Sequence, residues 1–270
     1  MWLKVPSATA MKSKHSGQDN IDAAYRCKLP STSRELSLLK EAVREYGINL
    51  ENVLDVGCGV GHAVETLADL GARGFGIDLN EEVILYLRRN MTSGNFKFFN
   101  QDFLTFDTQQ PLTLITMLAV LEHIEDDRSF LRKAFQLLDE GGYLIIVVPA
   151  HSRYYCKHDR LYGHYRRYDR GPLKELLQQQ GFEVVRIYTY GLQLLQAINS
   201  MFIREKRIDA IQKATVQSSF ELPGWYVRLY PVLKFGLYPY NMCQELIKNT
   251  DAGNAYFVIG RKTINTGRQV

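Results

Sequence analysis

Strand and helix patterns alternate from about residue 50 to residue 190, which predicts an α/β fold: a seven-stranded, mostly parallel, doubly wound sheet with helices on both faces and a helical insertion before the last strand. Three observations carry that prediction. The segments Val53–Val56, Leu112–Leu118 and Tyr143–Val148 are near-continuous apolar runs, as strands covered on both faces should be. A glycine-rich turn, Asp55-x-Gly57-x-Gly59-x-Gly61, follows the first of them. The second strand, Gly74–Ile77, then delivers an acid, Asp78, where a doubly wound sheet binds a nucleoside.

The elements follow in order. Residues 1–32 are polar and interrupted by Pro6, Gly17 and Pro30, which predicts a flexible N-terminal segment. Ser33 suits the N-cap of a helix to Tyr46, because Leu36, Leu39, Val43 and Tyr46 share one face and Gly47 stops it. Helices are expected over Gly61–Leu70 and Glu81–Asn90, the second opening with acids at its positive end. Phe96–Phe99 and Leu112–Leu118 are the third and fourth strands. Asp127 is read as the cap of a helix to Leu138, after which Glu140, Gly141 and Gly142 turn the chain into Tyr143–Val148. Pro172 opens a helix that Gly181 ends before the strand Phe182–Tyr188, and Ala255–Gly260 closes the sheet. Residues 33–190 thus form a core, 191–250 a helical and aromatic insertion, and 251–270 the last strand and a tail.

Composition narrows the class. A hydrophobic content of 46% supports a substantial core. The net charge of +4, without a long Lys/Arg run, argues against a nucleic-acid partner. Cys27, Cys58, Cys156 and Cys243 are far apart with no Cys-x-x-Cys pair, so neither a disulfide framework nor a metal site is expected. With no apolar leader and no run of eighteen apolar residues, a cytoplasmic protein without a transmembrane segment is expected.

A dinucleotide fingerprint starting at Gly57 or Gly59 would need glycine at 62 or 64, where His62 and Val64 stand. The set Asp55, Gly57, Gly59, Gly61 instead resembles motif I of the class I S-adenosylmethionine-dependent methyltransferases, a likeness that extends well over residues 50–190. The resemblance implies a Rossmann-like sheet whose antiparallel seventh strand lies between the fifth and sixth, with S-adenosyl-L-methionine as cofactor. It implies that Asp55 orders the loop and reaches toward the cofactor's amino end, while Gly57, Cys58, Gly59 and Gly61 let backbone approach closely. Asp78 would hold the ribose hydroxyls, Leu79 would pack on adenine, Asp102 would meet the exocyclic amine, and the Phe103 amide a ring nitrogen. Leu112–Ile124 is similar to the family's fourth strand and its Leu-x-His turn, which puts Leu118 and Ala119 beside the methionine portion. Thr113 and Ala119 depart from the acid and the polar residue that many relatives carry there, which leaves backbone to do the work at 119.

The implied reaction is in-line displacement at a sulfonium methyl, in which alignment is worth up to ~7–11 kcal/mol. A base would add roughly 10²–10⁴-fold for a hydroxyl acceptor. Three histidines fall on the substrate side: His123 after the fourth strand, His151 after the fifth, and His164 in Gly163-His-Tyr-Arg-Arg-Tyr168. His151 is the preferred base, and His123 reads first as a structural loop residue. The 163–168 segment resembles one recurring in bacterial small methyltransferases. It is either a solvated basic loop or an anion contact in which Arg166 or Arg167 grips a carboxylate or phosphate beside Tyr168. The insertion carries Phe220, Trp225, Tyr226 and Tyr230, which suit a lid over a flat small-molecule acceptor; a homodimer contact or a membrane surface are the alternatives. The function expected is methyl transfer to oxygen or nitrogen of a small molecule such as a specialised metabolite. A lipid-linked or sugar acceptor of the cell envelope, or a cofactor-binding subunit without catalysis, are the competing expectations.

Overall fold

Side chains along the fifth strand, β5 (Leu138–Pro149), alternate between two cores. Leu144, Ile146 and Val148 enter one, while Ile145 and Val147 enter the other. Period-two alternation with both faces apolar means that the strand is covered on both sides. β7 (Gly253–Lys262) does the same, with Tyr256 and Val258 opposite Phe257 and Ile259. The computed structural model from which this is read describes residues 30–91, 94–192 and 244–263.

The sheet has seven strands in the order β3-β2-β1-β4-β5-β7-β6. β1 (Val53–Val56), β2 (Gly74–Asp78), β3 (Phe96–Asn100), β4 (Leu112–Leu118) and β5 are mutually parallel. β7 pairs antiparallel with both β5 and β6 (Phe182–Leu192), the slot expected of it. On one face lie α1 (Pro30–Glu45), α2 (His62–Asp69) and α3 (Glu81–Asn90), which supply Leu38, Leu39, Leu67 and Leu87 to the first core. On the other lie α4 (Asp127–Leu137) and α6 (Arg170–Gln179), with Phe130, Leu131, Leu173 and Leu177. A short α5 (Lys157–Leu161) lies in the connection after β5.

Several boundaries differ from the sequence reading for local reasons. α1 starts at Pro30 and not after Ser33, since a proline's fixed φ and missing N–H suit a first helical position. Asp126, not Asp127, caps α4: its carboxylate accepts from the Ser129 amide at 3.1 Å. Asp127 is buried and does other work, described below. β5 begins at Leu138, because the Gly141–Gly142 turn is absorbed as an irregularity in its pairing with β4. The N-terminal segment, most of the 191–250 insertion and Trp225 lie outside the described residues. Among the described residues no helix is long and apolar enough to cross a membrane.

Candidate cofactor and acceptor site

Strand order reverses between β1 and β4, so their carboxyl ends splay apart and leave a crevice, the place where open α/β sheets bind ligands. Five chain segments reach its rim. They are the turn after β1, the end of β2, the short helical turn Phe103–Thr105 after β3, the turn after β4 and the residues after β5.

The first turn bends through left-handed backbone at Gly57, Gly59 and Gly61. Two of these glycines serve packing. A Cβ on Gly57 would stand 2.7 Å from Val120 Cγ2, and one on Gly61 would stand 2.6 Å from Leu87 Cδ2. Gly59 differs: a Cβ there would meet nothing nearer than 4.0 Å, so open space lies in front of its backbone. The loop is held by Asp78, whose Oδ2 accepts from the Gly59 amide at 2.9 Å and whose Oδ1 accepts from Asn80 at 2.8 Å. Each oxygen has further lone pairs for a hydroxyl donor. Leu79 next to it, just beyond the end of β2, is a large apolar side chain left 60% exposed. Asp102 turns its Oδ1 to the Leu104 amide at 2.8 Å, capping the turn that carries buried Phe103.

Asp55 is buried beneath the loop, and Thr116 of β4 donates a hydrogen bond to its Oδ1. Burial raises its pKa to about 7, against the lowering effect of that hydrogen bond; the Asp78 charge raises it a little further. Cys58, buried beside them, has its thiol pushed up by burial and by the same two carboxylates.

Across the crevice, Ala119 and His151 have φ of 57° and 63°, and among the described residues they are the non-glycine positions with left-handed backbone. Ala119 directly follows β4, and His151 follows β5 after one residue, Ala150. Backbone of this kind is sparsely populated and persists only where surroundings enforce it. The Ala119 amide donates to the Val147 carbonyl at 3.1 Å; Ala119 is exposed and Leu118 half-buried. His151 is buried, with Nε2 3.0 Å from the Gly253 carbonyl and its ring edge-on to Tyr154 and Tyr256. A carbonyl only accepts, so Nε2 carries the proton and Nδ1 is the basic atom.

The 163–168 segment is knitted into the protein. Arg166 donates to Asp127 Oδ2 at 2.8 Å and to the Glu125 carbonyl at 2.6 Å. Arg167 is buried and donates from Nε to Asp159 Oδ1 at 2.8 Å. Tyr168, also buried, donates its hydroxyl to Asp127 Oδ2 at 3.1 Å. Each arginine is thus paired with a carboxylate of this chain, Arg166 with Asp127 and Arg167 with Asp159, by one N–O contact apiece.

Other groups at the site escaped the sequence reading. Glu122, buried in the turn after β4, has its pKa raised to about 8, first by burial and then by the charges of Glu35 and Asp159. His123 beside it is pushed toward its neutral form by desolvation and then by His164, whose ring stands edge-on at 4.7 Å. Glu35 in the first turn of α1 accepts from the Tyr190 hydroxyl at 2.7 Å. Next to it Arg34 is 4% exposed; Nη1 pairs with Glu245 at 2.6 Å, while Nε and Nη2 are buried without a hydrogen-bond partner. Arg34 sits four residues before buried Leu38, so a charge on the apolar face was the signal available in the sequence.

A sheet in this order, with a glycine turn after β1 and a carboxylate ending β2, defines a class I S-adenosylmethionine-dependent methyltransferase fold. The chain belongs to the methyltransferase domain family, whose model matches residues 25–187. It is 27% identical over 135 residues to a Mycolicibacterium smegmatis protein named "Probable S-adenosylmethionine-dependent methyltransferase", covering 49% of this chain and 52% of that one. It is 35% identical over 109 residues to the ubiquinone biosynthesis O-methyltransferase of Glaesserella parasuis, covering 37% and 46%. The chain thus spans about half the length of the curated relatives it matches. The magnesium protoporphyrin IX methyltransferase of Synechocystis, solved with S-adenosylhomocysteine, superposes with a TM-score of 0.53 at 15% identity, over 94% of this chain and 90% of that one.

Proposed function

We propose that this chain transfers the methyl group of S-adenosylmethionine to an oxygen or nitrogen of a small acceptor. The observation that carries the reading is the pairing of Gly59 with Asp78: an open glycine backbone held by a carboxylate, beside an exposed apolar platform at Leu79. In this reading Asp78 takes the ribose hydroxyls and Leu79 the adenine. Asp102 and Phe103 border the adenine edge. The turn Gly57-Cys58-Gly59-Val60-Gly61 and the carbonyls at Leu118 and Ala119 line the rest, and Asp55 lies under the cationic end. In this reading His151 is the base, acting through Nδ1, since Nε2 is held by the Gly253 carbonyl. The 191–250 segment is read as the lid over the acceptor. Calorimetric titration tests the cofactor half: saturable binding of S-adenosylhomocysteine and no response to NAD are expected, and the reverse result would refute the proposal.

Arg34 favours an anionic acceptor. Nε and Nη2 form one edge of the guanidinium, the edge that meets a carboxylate with two parallel hydrogen bonds. Leaving those charged donors buried and unmatched is costly, and an acceptor carboxylate would satisfy both. The charge of adjacent Glu35 raises the pKa of Glu122, which supports placing the first turn of α1 near the turn after β4. In a panel of acceptors offered as acid and as amide, the acid should react at least about tenfold faster, the difference expected for hydrogen bonds to a charged group. Arg34→Gln should erase that preference. Equal rates for acid and amide in the wild type would remove Arg34 from the acceptor site.

A further inference from the structure

The geometry points to a binding site for a divalent transition-metal ion of the zinc type, formed by Glu122, His123 and His164 with one coordination position open to the crevice. Each residue offers one ligand atom, and the three atoms lie within 4.8 Å of one another. Metal–ligand distances of about 2.0–2.2 Å put tetrahedral ligand atoms about 3.3–3.6 Å apart, so the triangle closes by at most about 1.5 Å when an ion binds.

The second observation is the state of Glu122. It is 3% exposed, and its Oε2 is buried without a hydrogen-bond partner. A buried carboxylate oxygen left unmatched is expensive, and a cation is the partner that relieves it most fully.

Both histidines are also held as metal ligands usually are, with the second ring nitrogen tethered. Nδ1 of His164 lies 3.2 Å from Asp159 Oδ1, and Asp159 is fixed by Arg167 Nε at 2.8 Å and by the Cys156 amide at 2.9 Å. The His123 ring is hydrogen-bonded to the backbone of Gly163. The two loops that carry the ligands are stitched together by the Tyr165 amide, which donates to the Glu122 carbonyl at 2.8 Å.

Two imidazoles and one carboxylate suit zinc or a similar first-row ion better than magnesium or calcium, which prefer all-oxygen shells. Burial is graded across the site: Glu122 is enclosed, His164 is half-buried and His123 is exposed. The open side is therefore the His123 side, in the turn that follows β4. Sequence spacing conceals the set, since forty residues separate His123 from His164.

The test uses the full chain, stripped with a chelator, dialysed and titrated with Co²⁺ followed by Zn²⁺. One equivalent of Co²⁺ should bind with the intense visible bands of a low-coordinate nitrogen–oxygen site, and Zn²⁺ should displace it. His164→Gln and Glu122→Gln should each weaken uptake at least tenfold, and Asp159→Asn about 10–100-fold through loss of ring orientation. Thermal melting and S-adenosylhomocysteine binding verify that each variant is folded. If the buried Glu122→Gln or Asp159→Asn variants unfold, exposed His123→Gln decides, with the same tenfold loss expected. No saturable uptake by the wild type, or uptake unchanged by His123→Gln and His164→Gln, would overturn the site.

Discussion

Asp78→Ala should lower the affinity for S-adenosylhomocysteine ten- to a hundredfold while the protein remains folded. Two effects act together. In the proposed site the ribose loses a carboxylate acceptor, and hydrogen bonds to a charged partner are worth ~1.5–3 kcal/mol. The Gly59 amide and the Asn80 amide also lose the oxygens that fix the loop and the start of α3. Asp78→Asn separates the two. It keeps one carbonyl oxygen for the Gly59 amide but presents an amide to the sugar, so it should recover loop order more than affinity. Titration calorimetry of both variants measures this, and undiminished affinity in folded Asp78→Ala would end the ribose assignment.

Replacing Asp55 by asparagine should change how stability depends on pH. Burial lifts the Asp55 carboxyl from an ordinary value near 3.8 to about 7. Between those values the folded protein holds a proton that the unfolded chain has released. The stability from this group is therefore complete below about pH 4, falls as pH rises toward 7 and is gone above it. A displacement of that size corresponds to a ceiling of roughly 4 kcal/mol. In Asp55→Asn the group cannot ionise, and Thr116 can still donate to the remaining oxygen. The ligand-free variant should match the wild type near pH 4 and exceed it by about 1–4 kcal/mol at pH 8, as read from urea unfolding at the two pH values. Parallel profiles would show that Asp55 is ionised in the folded protein throughout. A sulfonium cofactor, being a cation, should bind more tightly to the wild type above pH 7, and this dependence should vanish in the variant.

The sheet was legible in the sequence because its strands are short apolar runs punctuated by glycine and acids. The turn Asp55–Gly61, the acid at Asp78 and the last strand's place beside β5 all follow from local pattern plus one family likeness. Charge pairing was not legible. Arg166 and Arg167 look like free surface cations along the chain, and only the approach of Asp127 and Asp159 commits them. Asp127 had the composition of a helix cap, but the role fell to Asp126, whose carboxylate reaches Ser129. The left-handed backbone at Ala119 had no local signal, and that at His151 had only histidine's enrichment in such backbone. What sequence pattern encodes is the periodicity of burial. Which polar groups meet across a crevice depends on chain segments tens of residues apart.

The antiparallel entry of β7 has a consequence for how such a chain can change. Leu192, the last residue of β6, lies opposite Gly253, the first of β7, on the edge of the sheet where β1, β4 and β5 also end. The stretch between them begins and ends at that end of the paired strands, so its length and composition can be revised without shifting the β6–β7 register. In the proposed reading, exchanging this stretch between homologues should change the acceptor while leaving the paired strands in place.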